Sequence, residues 1–357
     1  MNVSSVNPAS SESSLRFPRL GVWLLSLCIG FVPGCGFAAD ALLDAIDDEL
    51  NGDDPKPAPV DNTPDGPAGD TVVEVDLADG ERRVVGAPFD DPGTGVGDGA
   101  NDRMLVWDRD DLAVYAVDLA SGTRDLISGA SEGSGPALES VSALALGAPG
   151  SLFVLHTGTN GPEVLLIDLS NGNRTPVSGL LVGSGPALDA PASLSYVSAD
   201  NSLLVWDNDP GELLAINTST GVRTVVASAS VGSGSTPVDV TGAAVDEASN
   251  ILLILRPTAL LQVDLTNGNR SSISNGSKGS GAPIQEGIAL ELDETGGIAL
   301  VLQTLPAPGQ VLAVDLDDGD RTVISGTSTG DGPMLAYPNS ITRVSADLVV
   351  VLNRTDP

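Results

Sequence analysis

One short pattern recurs six times along this chain of 357 residues, and it limits the available folds more than any other feature. An aliphatic residue is followed by Asp-Leu, two variable residues, Gly, one variable residue and Arg. The copies begin at Asp76, Asp118, Asp168, Asn217, Asp264 and Asp315, with Asn217-Thr218 standing for Asp-Leu in the fourth. Successive copies start 42 to 51 residues apart. A period of this length is too long for most helical or leucine-rich solenoids and fits a unit of four short strands. The composition agrees: 42 Gly and 25 Pro supply tight turns, and a 41% hydrophobic content is enough to bury a core.

The pattern reads as a β-hairpin. With strands over 113–119 and 123–127, Ala120, Ser121 and Gly122 form a three-residue loop whose last position is left-handed, which glycine alone takes without strain. In that register Asp118 faces Arg124 across the hairpin. Ion pairs Asp118–Arg124, Asp168–Arg174, Asp264–Arg270 and Asp315–Arg321 are therefore expected as structural elements, each contributing about 0.2–1 kcal/mol. Ahead of each hairpin runs an apolar strand (103–107, 151–155, 202–206, 251–255, 298–302, 348–352), preceded by a stretch of small and apolar residues such as 142–146 and 193–197. The repeats open at 71–85 with a hairpin lacking its first two strands. They finish at 341–352 with two strands lacking their hairpin.

Joined, the two ends complete one more unit and leave no open sheet edge. The expected fold is all-β: a six-bladed β-propeller of four-stranded antiparallel blades over 71–357, closed by strands from both termini. Over residues 71–353 the repeats resemble the six-bladed propeller superfamily that includes NHL-repeat proteins and the senescence-marker/gluconolactonase group. The resemblance implies either a binding propeller or a metal-dependent lactonase-like hydrolase. The hydrolase uses a Glu, Asn and Asp metal set on inner strands, and no matching set can be placed here residue by residue. The Val-Trp-Asp sequences at 106–108 and 205–207 end second strands, unlike the WD-repeat signature.

The N-terminus reads as a targeting segment. Arg16 and Arg19 precede an apolar run over 20–32, too short for a membrane span, so residues 1–34 are expected to be a signal peptide. Val32-Pro33-Gly34-Cys35 resembles a bacterial lipoprotein signal, which implies acylation of Cys35; ordinary cleavage near Ala38 or Ala39 is the alternative. Cys28 and Cys35 are the only cysteines, so the folded part holds no disulfide. Residues 35–70, rich in Asp, Pro and Gly, are expected to be an acidic tether. The localisation implied is periplasmic or cell-surface, through a lipid anchor.

The chain carries 16 basic and 48 acidic residues, a formal net charge of −32. That field repels phosphate backbones, which excludes nucleic acid as a partner and leaves the lipid anchor as the expected membrane contact. A monomer is expected. Catalytic signals are sparse. His156 is the single histidine and has no Gly-x-Ser-x-Gly elbow to accompany it. Residues 93–99 are glycine-rich but lack the following helix that a phosphate loop needs. Glu139, Asp189, Asp239 and Glu286 stand where inner strands begin and are candidate Ca²⁺ ligands, though solvated turn carboxylates are the plainer reading; no other cofactor is indicated. The reading that results is an exported propeller that binds a protein, peptide or glycan without catalysing a reaction; the alternative is the lactonase-like hydrolase.

Overall fold

The computed structural model describes residues 70–293 and 297–354. The expected signal peptide, Cys35 and the expected tether up to residue 69 lie outside the described residues; Asp70 already belongs to a strand.

Among the described residues, 24 strands form six sheets, each of four antiparallel strands. Blades 1 to 5 span 92–128, 140–178, 191–227, 242–274 and 287–325, each running from an inner to an outer strand. Blade 6 takes its inner strand Tyr337–Arg343 and second strand Leu348–Arg354 from the C-terminal end. Its third strand Asp70–Asp76 and outer strand Arg82–Phe89 come from the N-terminal end. The join is a full ladder from Thr71 opposite Asn353 to Asp76 opposite Leu348. The inner strands touch in cyclic order, so the sheets close into a six-bladed β-propeller.

Alternation explains how a second strand can be apolar throughout. Successive side chains point to opposite faces, and in a propeller both faces meet a neighbouring blade. In blade 1, Leu105 and Trp107 pack with Leu144, Leu152 and Leu165 of blade 2. Met104 and Val106 pack the other way, with Val72, Phe89 and Leu352 of blade 6. Six such clusters fill the six joints of the ring. Each fully buried Leu or Val contributes about 1.5–3 kcal/mol.

The repeated hairpin lies one residue away from its expected register. Arg124 pairs with Val117 rather than Asp118, Arg174 with Ile167, Arg270 with Val263 and Arg321 with Val314. The Asp118 N–H bonds to the Thr123 carbonyl, so the loop holds four residues, 119–122. A one-residue slip turns a side chain to the other face of the ladder. The expected pairs Asp118–Arg124, Asp168–Arg174, Asp264–Arg270 and Asp315–Arg321 are thereby replaced by two separate devices.

The aspartates cap their own turns. Asp118 Oδ1 accepts from the Ser121 N–H and hydroxyl at 2.7 Å, Asp168 from the Ser170 N–H at 2.9 Å, Asp264 from the Thr266 N–H at 2.8 Å and Asp315 from the Asp317 N–H at 2.8 Å. Asn217 does the same with Ser219 at 3.0 Å, which explains why an amide serves in blade 3.

The arginines clasp the preceding blade. Arg174 donates from Nε to the Pro136 carbonyl (2.6 Å) and from Nη1 to Ser128 Oγ (2.6 Å), Gly129 O (3.1 Å) and Glu132 O (3.2 Å). Ser128 in turn donates to the Gly172 carbonyl at 2.7 Å. Arg82, Arg223 and Arg321 grip Ser325, Ser178 and Ser274 in the same way. Arg270 meets Ala227 where the serine would stand, and bonds instead to the carbonyls of Ser228, Val231 and Gly234. The guanidiniums are buried, which pushes those of Arg82, Arg174 and Arg223 below their ordinary range.

The Gly-Ser-Gly sequences between blades complete the clasp. The Arg174 N–H bonds to Ser134 O at 2.7 Å, and a Cβ on Gly133 would stand 1.9 Å from the Gly172 carbonyl oxygen. The joint of blades 6 and 1 differs. There the chain passes from Phe89 to Pro92 without such a linker, and Arg124 lies exposed over the Phe89 ring at 4.3 Å.

Candidate functional site

Six inner strands crowd around one axis, and small side chains leave a central channel of about 720 Å³. Its wall includes Gly95, Gly97, Ala143, Ser195, Ala243 and Ala289. Residues 93–99 are thus mostly an inner strand, Pro92–Asp98, followed by a single 3₁₀ turn at Gly99–Asn101, rather than a phosphate loop. Charge appears at the two ends. On the face where inner strands begin, here called the upper face, Arg109 bonds to Asp91 at 3.0 Å, and Arg354 reaches the same carboxylate at 2.8 Å. Where inner strands finish, Arg343 of blade 6 forms an ion pair with Asp293 of blade 5.

The upper rim is set by a position that recurs in every blade, the polar residue where each apolar second strand reaches that face: Asp108, His156, Asp207, Arg256, Gln303 and Asn353. Several of these pin the loop that leads into their own blade's inner strand. Asp207 accepts from the N–H groups of Asp189 (2.7 Å) and Ala190 (2.8 Å), and Gln303 Oε1 from that of Gln285 at 3.0 Å. Arg256 donates to Val238 O at 2.7 Å and Asn353 to Met334 O at 3.4 Å. Asp108 holds the next loop instead, accepting from Asp110 (3.0 Å) and Asp111 (3.1 Å); burial raises its carboxyl above the usual range. Aligning the residue after each apolar strand would have revealed this set in the sequence. No single motif contains it.

His156 belongs to the same ring. It is 1% exposed, and its Nε2 lies 3.1 Å from Glu163 Oε1 on the paired strand. Among the described residues its buried Nδ1 has no hydrogen-bond partner, and no serine hydroxyl bonds to the ring. The geometry is that of a buried structural histidine.

Glu139, Asp189, Asp239 and Glu286 lie on the loops that lead into the inner strands of blades 2 to 5, all exposed. The structure does not bring them together: among the described residues, no group of three or more His, Cys, Asp or Glu side chains is placed to hold a metal ion. Glu139 instead accepts from Thr159 Oγ1 at 3.1 Å. Glu286 is one residue closer to its strand than Asp189 is, because the inner-strand bulges align Gly287 with Gln303 and Pro191 with Asp207.

Neither a family model nor a curated protein matches the sequence. Solved structures do match in shape. A chain of the nidogen/laminin complex superposes with a TM-score of 0.55 at 13% identity, covering 80% of this chain and 100% of that one. A TolB-type protein of Agrobacterium tumefaciens gives 0.57 at 10% identity, covering 82% and 100%. At these identities the likeness is one of fold. With 1014 solved chains matching, a fold shared so widely selects no activity.

Proposed function

We propose that this is an exported β-propeller that binds a protein, peptide or glycan on its upper face, as a scaffold rather than an enzyme. The observation that carries the reading is the pinned rim. Hydrogen bonds accepted by Asp207 and Gln303 and donated by Arg256 and Asn353 fix four of the loops that surround the channel mouth. Loops fixed before a ligand arrives lose little entropy on binding, which favours recognition. Beneath them the channel wall of small residues offers shape and backbone groups, with Glu291, Asp293 and Arg343 as charged lining toward its lower end. Of the solved structures of this shape, one is a complex between two proteins, nidogen and laminin, a precedent for the architecture as a docking platform. Export rests on the apolar run over 20–32 and on Cys35 beyond it.

Probing peptide and glycan arrays with the purified propeller tests the proposal. Binding that upper-face substitutions such as Asp189→Lys abolish supports it. Hydrolysis of a lactone panel that a chelator abolishes would overturn it in favour of the lactonase-like alternative.

A further inference from the structure

Blade 2 breaks the symmetry of the ring in two places that adjoin. Its second and third strands, Ser151–Gly158 and Gly161–Asp168, are eight residues long, against six in blades 1, 3, 4 and 5. The hairpin therefore projects further, ending in the turn Thr159-Asn160. Beside it, the turn that leaves the outer strand carries Leu180 and Leu181, exposed by 76% and 75%. At the matching position the other linkers carry Ala130-Ser131, Ala229-Ser230, Gly276-Ser277 and Thr327-Ser328. A groove of about 530 Å³ lies between hairpin and linker, lined by Asn160, Pro162, Leu180, Leu188, Asp189 and Arg223 among others.

The leucines are held outward. The Gly179 N–H bonds to Val182 O at 2.9 Å, closing the turn beneath them. Arg223 Nη1 grips the carbonyls on either side of the pair, Gly179 O at 3.1 Å and Val182 O at 3.4 Å. A turn clamped at both ends cannot fold its side chains back into a core, so two adjacent leucines remain in water. Single exposed leucines are ordinary, whereas a rigid apolar pair, with Leu180 lining a groove and Leu181 beside it, marks a binding surface.

The charges say what kind of partner fits. Arg223 is the cation that lines the groove, and its guanidinium is taken up by Ser178, Gly179 and Val182. Asp189 faces the groove with its carboxylate exposed, and Glu139 stands at the hairpin tip through its bond to Thr159. A second copy of a chain at −32 would be repelled at this acidic rim. We infer that the groove of blade 2 docks an extended peptide segment of a partner protein, with an aliphatic or aromatic side chain against Leu180 and Leu181 and a neighbouring Lys or Arg against Asp189 and Glu139. This rests on the binding reading above and narrows it to one blade and one peptide chemistry.

The test uses three fluorescein-labelled peptides: Gly-Lys-Leu-Phe-Lys-Gly, a version with Glu for both Lys, and a version with Ser for Leu and Phe. Fluorescence anisotropy against the whole chain should show binding of the first alone. The double variant Leu180→Ser/Leu181→Ser should weaken it at least tenfold with unchanged melting, and Asp189→Asn should weaken it severalfold and flatten its salt dependence. Equal binding of the glutamate peptide, or undiminished binding by the double variant, would overturn the inference while leaving a binding propeller in place. Failure of all three peptides to bind would overturn it as well. So would a wild-type dimer in sedimentation that the double variant disperses, since the leucines would then be a self-contact. Glycan-array binding that survives the double variant would locate the propeller's function elsewhere on the upper face.

Discussion

Replacing Arg174 by Met tests the joint between blades 1 and 2. Methionine retains an apolar stem of similar length and removes the donors. Four groups lose a hydrogen bond from Arg174: Pro136 O, Ser128 Oγ, Gly129 O and Glu132 O. Ser128 still donates to Gly172 O, so its hydroxyl stays partly satisfied. Glu132 O keeps the Gly129 N–H at 3.0 Å, so two carbonyls, Pro136 O and Gly129 O, are left without a partner, each costing about 1–3 kcal/mol, with the lower figure apt where the linker can open to water. The expected loss is therefore about 2 kcal/mol, a fall in Tm of about 3–4 °C for a domain with an unfolding entropy of about 2.1 cal/mol/K per residue over roughly 280 residues. Differential scanning calorimetry reads it directly. The control is Asp168→Asn, which removes the charge but keeps an oxygen to accept from the Ser170 N–H at 2.9 Å, as Asn217 does in blade 3. It should shift Tm by no more than a degree or two, and the two changes should add. Coupling of 1 kcal/mol or more between them in a double-mutant cycle would show that Asp168 and Arg174 act as a pair, and would refute the clasp.

Further expectations concern the ring, its charges and its export. Deleting residues 337–357 strips two strands from blade 6 and exposes sheet edges, so the truncated chain should be insoluble or melt without cooperativity; melting like the full chain would refute closure through both ends. Hydrogen bonds from Ser121 and Ser170 hold the carboxyls of Asp118 and Asp168 below their ordinary 3.8. Their contribution is therefore present above that pH and lost as the pH falls through the depressed values, so Asp118→Asn/Asp168→Asn should flatten the acid limb of Tm against pH. At equal ionic strength Ca²⁺ and Mg²⁺ should shift Tm alike; a rise with Ca²⁺ alone that Asp189→Asn abolishes would make the upper-face carboxylates a metal site. In a bacterial host a palmitate analogue should label the wild type and not Cys35→Ala, and equal labelling would refute acylation there.

The ring was legible in the sequence because it depends on counting. Six copies of one hairpin and half a blade at each end permit one closed arrangement, and Val72 opposite Leu352 realises it. The partners of the arginines depend on register, which the spacing of the pattern alone does not fix. A loop of four residues in place of three moved Arg174 from the face of Asp168 to that of Ser128, 46 residues away along the chain. The pattern did contain the answer, since the serine, the Gly-Ser-Gly linker and the arginine recur together at the joints of Arg174, Arg223 and Arg321. The rim escaped notice for another reason: Asp108, His156, Arg256 and Gln303 share a location but no chemistry. Leu180 and Leu181 stand out once their place in the turn is known.

The Arg124 joint gives the molecule a built-in place to breathe. A circle of similar units, each coupled to its neighbours, opens first at its weakest coupling. Five couplings carry a buried arginine, while the sixth carries a guanidinium resting on an aromatic ring. Amide exchange should therefore be fastest along the outer strand Arg124–Ser128 and the facing Arg82–Phe89. Such opening is confined to the outer edge, because toward the axis blades 6 and 1 are joined by the Gly97 N–H to Thr342 Oγ1 (2.7 Å) and by Asn339 Nδ2 to Pro92 O (3.2 Å). The hydrogen-bonded seam inside blade 6, where strands Asp70–Asp76 and Leu348–Arg354 meet, would stay shut behind six ladder positions of paired backbone.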